Sequence, residues 1–214
     1  MRTKVGWPGR MTACFAMIFL ALGALVVTGV TQPLDSLATH RLRPGDAWGP
    51  AQIRYSPWMT QLEPSRMYLV LMVTSLAVCL WRRSWWPALF GSVLASASVI
   101  ATVLAKFAFR RPDPHGHLAA SGGSFPSGHM IAVLVCLGGC LLMAFPRVRW
   151  WMWTPVAAAA ALMTAGLLVS AAHWATDVLG GVFLALTVLA AGSRLPMRKP
   201  TSVSPRLPRR HPRS

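Results

Sequence analysis

The sequence predicts an all-α integral membrane protein, a six-transmembrane-helix bundle, on three observations. Hydrophobic residues make up 54% of the 214 and charged residues only 12%, about half the charged share of an ordinary soluble domain. The apolar residues gather into six runs, and the basic residues between the runs fall mostly on one side. In a soluble protein the net charge of +16 would point to nucleic acid. Beside this apolar fraction it points instead to a membrane with its basic loops in the cytoplasm, and no nucleic-acid partner is expected.

The first run, Met11 to Thr31, is uncharged and long enough to cross a hydrocarbon core of about 30 Å. Its basic approach (Arg2, Lys4, Arg10) resembles a signal peptide, but the run is long for one and lacks a cleavage signature, so a retained helix is expected. The second, Met67 to Trp81, is short, with Arg66 and Arg82 placed to snorkel. The third is Ser84 to Ala105, ending at Lys106. The fourth spans roughly residues 127–145, the fifth 150–172 and the sixth 174–192, with Asp177 in its first turn. Cys14, Cys79, Cys136 and Cys140 lie inside these runs and read as packing residues.

Six spans place both termini on one side. That side receives Arg2, Lys4, Arg10, Arg82, Arg83, Arg147, Arg149 and Arg194, plus the six Lys and Arg of the tail, and no acid. The other side holds Arg41, Arg43, Arg54, Arg66, Lys106, Arg110 and Arg111 together with all five acids. The positive-inside rule therefore puts the termini in the cytoplasm and the 32–66 and 110–126 loops outside. The expected organisation is a cytoplasmic segment 1–10, a membrane domain 11–194 and a basic disordered tail 195–214 lying against anionic lipid. Trp48, Tyr55, Trp58 and Met59 in the first outer loop read as interfacial belt residues, or as a lid over a lipid tail.

The outer side also concentrates the chemistry. Lys106 ends the third run, Arg110 and Arg111 follow, and Pro112 stops the helix. The stretch Ser121-Gly-Gly-Ser-Phe-Pro-Ser-Gly-His129 opens the fourth. A helix start offers free N–H groups and a positive dipole end to a phosphate. Pro126 suits a first turn, Gly128 permits close approach, Ser127 adds a hydroxyl, and Lys106 and Arg111 add charge. His129 can exchange a proton near neutral pH. His173 and Asp177, four apart, would share a helix face, so the carboxylate can hold Nδ1–H and leave Nε2 as a nucleophile. His115 and His117 lack the carboxylates a metal site would need, and no metal or other cofactor is expected.

The constellation resembles the type 2 phosphatidic acid phosphatase family, which also contains the vanadium haloperoxidases. Pro126-Ser127-Gly128-His129 matches that family's second motif in full. His173-Trp-Ala-Thr-Asp177 matches the end of its third, Lys106 begins its first, and the resemblance covers roughly residues 11–192. Two departures accompany it. Arg111-Pro112 comes two residues early, leaving Asp113 at the family's arginine position, and Gly166-Leu167 stands where the family has Ser-Arg.

The resemblance implies a membrane phosphatase acting at the extracytoplasmic face on a lipid phosphate: phosphatidic acid, phosphatidylglycerol phosphate or a polyprenyl (di)phosphate. His173 is then the nucleophile, Asp177 its orienting partner and His129 the acid–base group. Lys106, Arg111, Ser127 and Gly128 hold the phosphoryl oxygens without a metal, with Arg111 swinging in and Asp113 turning away. A phosphotransferase using the same phospho-histidine, or a non-catalytic lipid-phosphate binder, fits the same motifs. Nothing in the sequence sets the oligomeric state.

Overall fold

The computed structural model describes residues 9–118, 122–145 and 147–195, among which there are eight α-helices. The basic segment before residue 9, Ser121 and the tail from residue 196 lie outside the described residues.

Six helices follow the six apolar runs: α1 (Gly9–Val27), α4 (Pro64–Arg82), α5 (Trp86–Phe109), α6 (Gly128–Ala144), α7 (Thr154–Val169) and α8 (Ala175–Gly192). Two more, α2 (Gln32–Leu42) and α3 (Pro50–Gln61), lie in the segment expected as an outer loop. Their polar composition concealed them from a search for apolar runs. Both nonetheless carry proline in the first turn, where its missing N–H has no partner to lose. Helical stretches long and apolar enough to cross a membrane are Gly9–Val27, Pro50–Arg82, Trp86–Phe109, Trp150–Val169 and Ala175–Gly192. α6 is apolar but shorter, 17 residues or about 25 Å.

α6 is the axis of the bundle. Met130, Ile131, Ala132, Val133, Val135 and Cys136 are fully buried along it. Around it stand α4, α5, α7 and α8, while α1 packs along α8 and α3 along α7. A helix hydrophobic all round belongs in such a centre. The outer helices keep apolar residues on their outward faces as well, among them Leu20, Leu76 and Leu104, which suits hydrocarbon rather than water.

Two features shape the end of the bundle where α5 stops and α6 begins. α5 stops where Arg110 turns left-handed (φ 45°), and the chain folds back along it. Gly123 N–H donates to Lys106 C=O at 3.0 Å and Ser124 N–H to Arg111 C=O at 2.7 Å. A side chain at Gly123 would collide with the Arg111 backbone, so this close return requires glycine. Beneath it, Phe19, Phe109 and Phe125 form an aromatic floor with centroids 5.0–6.0 Å apart, and the Phe125 ring lies against Gly180 of α8.

Candidate active site

The starts of α6 and α8 meet at this floor. Ser127 is the N-cap of α6, its hydroxyl accepting from Met130 N–H at 3.5 Å, while its own N–H donates to Asp177 C=O at 2.9 Å. α6 thus begins at Gly128, two residues after Pro126, so the proline precedes the cap rather than filling the first turn. Gly181 lets α8 approach, since a side chain there would meet Ser127 C=O and Met130. These contacts bring His129 and His173 together from 44 positions apart, with ring centroids 6.3 Å apart and planes at 69°.

His173 is not on a helix face. α7 ends at Val169, Ala171 is left-handed (φ 52°), and α8 begins at Ala175 with Trp174 as N-cap. The apolar Ala171-Ala172 extended the fifth run to 172 in the sequence reading, so the turn is longer than expected. The four-residue spacing still makes the contact, because Asp177 is the third residue of α8 and reaches back over the helix start. Its Oδ2 accepts Trp174 N–H at 3.0 Å and lies 3.4 Å from His173 Nδ1, longer than a settled hydrogen bond. Asp177 is fully buried and His173 nearly so.

Lys106 stands beside the helix start. Its Nζ donates to Gly123 C=O at 2.8 Å, and its stem passes Gly128. Arg110 is exposed at the end of α5.

Arg111 enters the site differently from the phosphate-ligand expectation. It is buried, and its NH1 donates to Asp177 Oδ1 at 2.8 Å and to Thr176 Oγ1 at 2.7 Å. NH2 donates to Asp35 Oδ2 at 2.7 Å and, at 3.4 Å, to Gln32 Oε1. The Trp174 ring lies 5.1 Å from the guanidinium carbon, and the indole N–H donates to Pro112 C=O at 2.9 Å. Arg111 therefore holds carboxylates, because the unexpected helix α2 supplies one. Asp113 turns outward, where its carboxylate accepts the N–H groups of His115 and His117 at 3.0 and 2.8 Å and closes the loop tip.

Asp35 was missed by the sequence reading. The sequence gives no sign of its burial, since a carboxylate in a polar stretch needs no partner when water can reach it. The Gly166-Leu167 pair is explained by packing. Leu167 is fully buried in α7, and Met59 and Tyr55 of α3 lie over Gly166.

No family model and no curated protein sequence matches the chain. Among solved structures, a transmembrane PAP2-type phosphatidylglycerolphosphate phosphatase from Bacillus subtilis superposes with a TM-score of 0.69 at 19% identity, covering 85% of this chain and 93% of that one. The likeness is one of fold: this chain arranges its helices as that membrane phosphatase does.

Proposed function

We propose that this protein is a membrane lipid-phosphate phosphatase of the type 2 phosphatidic acid phosphatase kind, working by a phospho-histidine without a metal. The observation that carries the reading is the convergence of His129 and His173 at 6.3 Å, with Asp177 on the far side of His173. The shared fold with a PAP2-type phosphatase supports it.

In this mechanism His173 Nε2 attacks phosphorus and the P–O bond to the lipid breaks. His129 gives its proton to the leaving oxygen. A water then loses a proton to His129 and attacks the phospho-histidine, releasing inorganic phosphate and restoring both imidazoles. Asp177 steadies the positive charge that His173 acquires. Lys106 and the free N–H groups at the start of α6 meet the phosphoryl oxygens, with Gly128 leaving room and Ser127 shaping the turn. Arg111 acts behind Asp177.

The six apolar helices, α6 included, are read as six spans. Both termini then lie in the cytoplasm and the site faces outward, on the strength of the one-sided basic residues. The membrane domain is residues 11–194, and the basic tail lies against anionic lipid. The test is phosphate release over a panel of phosphatidic acid, phosphatidylglycerol phosphate and polyprenyl phosphates, with and without EDTA, against His173→Ala. Release abolished by the substitution and indifferent to EDTA is expected. Loss with EDTA that a divalent ion restores would refute the mechanism, and transfer to an added alcohol without phosphate release would identify a phosphotransferase.

A further inference from the structure

We propose that Asp35, on the outer helix α2, is a positioning residue for the nucleophile, acting through Thr176 and Arg111 on Asp177. The proposal rests on the phosphatase reading above and adds to it a residue that none of the three motifs contains.

The connections are short and buried. Asp35 is 1% exposed and is the one buried residue of α2, a surface helix whose Leu34 and Leu37 are exposed. Its Oδ1 accepts the backbone N–H of Thr176 at 3.0 Å, and its Oδ2 accepts the Thr176 hydroxyl at 2.6 Å and Arg111 NH2 at 2.7 Å. Thr176 is the second residue of α8, so Asp35 fills from a distant helix the role a local cap would play. The Thr176 hydroxyl in turn accepts from Arg111 NH1, which also holds Asp177 Oδ1. Both carboxylates, the Thr176 hydroxyl and the two terminal guanidinium nitrogens of Arg111 are thus engaged, and the far oxygen of Asp177 faces His173.

Charge gives the arrangement a purpose beyond rigidity. One guanidinium is shared between two carboxylates, so the cluster keeps one net negative charge, and Asp177 lies at its His173 end. With Asp35 removed, Arg111 would lean wholly on Asp177 and neutralise it. Asp177 would then be a weaker partner for the imidazolium formed when His173 bonds phosphorus. Asp35 therefore keeps α8's first turn in place and keeps Asp177 available. Because that charge matters most after attack, the effect belongs in kcat rather than KM.

The experiment uses full-length protein in detergent or proteoliposomes. Thr176→Val, which removes the hydroxyl but no charge, should lower kcat by about tenfold with KM within about twofold, and Thr176→Ser should restore it. Asp35→Asn should lower kcat by about 10- to 100-fold, and the double variant should fall well short of the product of the two losses. Loss expressed in KM, no rescue by Thr176→Ser, or multiplicative losses would each overturn the proposal. Hydrogen exchange in peptides covering residues 174–178 supplies a readout independent of turnover. Asp35→Asn should speed exchange there while leaving α4 unchanged, and unchanged exchange would overturn the clamp. If the wild type hydrolyses no lipid phosphate, the phosphatase reading fails by itself and the exchange result still decides the clamp.

Discussion

Replacing Arg111 by alanine removes the cation that two buried carboxylates share. Asp35 and Asp177 are 1% and 0% exposed, and their contacts to the guanidinium are 2.7 and 2.8 Å. Breaking such a buried pair costs about 3–5 kcal/mol, because the remaining charge stays desolvated. For a chain of this size about 2–4 °C of Tm is lost per kcal/mol, so Arg111→Ala should melt roughly 6–20 °C below wild type. The functional loss should be larger than a lost phosphate contact alone, since Asp177 and the first turn of α8 both move. A fall in kcat/KM of about two decades or more is expected at a temperature where the variant is folded. Arg110→Ala is the control: Arg110 is exposed, and its loss should shift stability by no more than about 0.5 kcal/mol. Melting can be followed by fluorescence-detected size exclusion, and activity by phosphate release. Equal Tm values for the two variants, or a greater loss from Arg110→Ala, would refute the network as described.

Three other outcomes follow from the packing and the charge. Leu167→Arg, which places at that position the arginine of the family the sequence resembles, should destabilise by roughly 3 kcal/mol or more, because position 167 is fully buried in α7; wild-type melting with raised activity would contradict this. Gly180→Ala should cost about 1–3 kcal/mol despite alanine's better helix propensity, since the new methyl presses on the buried Phe125 ring; an unchanged Tm would refute it. In a background with all four cysteines replaced by serine, His117→Cys should label with an impermeant thiol reagent from outside intact cells and Arg83→Cys only after lysis, and labelling from the same side would reverse the topology reading.

What the sequence made legible was what hydropathy encodes. The six apolar helices were found within a few residues at most of their ends, because uninterrupted apolar runs have a single outcome in a membrane. The break between the fifth and sixth runs was placed at residue 173 but read too short, since alanine marks no boundary and the left-handed residue is Ala171 rather than glycine. α2 and α3 were hidden by their polarity. Beside the apolar contact of Met59 they dock through polar groups: Gln52 donates to Val169 C=O at 2.9 Å and Arg43 to Ser170 C=O at 2.6 Å, satisfying the open end of α7. Of the candidate site, the contacts within 126–129 and 173–177 were legible, because those residues are close in sequence. The Asp35–Arg111 pair joins positions 76 apart across an element that no pattern announced, so Arg111 read as a free cation.

The segment that folds back after α5 bears on what lengths this loop tolerates. Gly123 and Ser124 hang on Lys106 and Arg111, and Ser124 Oγ adds a bond to Pro112 C=O at 3.1 Å. The spacing from Lys106 to His129 in space is therefore set by this stem and not by the number of residues between them. The tip beyond it, tied off by Asp113, stands apart from that accounting. Extra residues inserted between His115 and Leu118 should leave the distance between cation and imidazole untouched, whereas a single residue added between Ser124 and Ser127 would rotate His129 out of line. The tip can thus change length without moving the candidate site, whereas a change in the stem would move it.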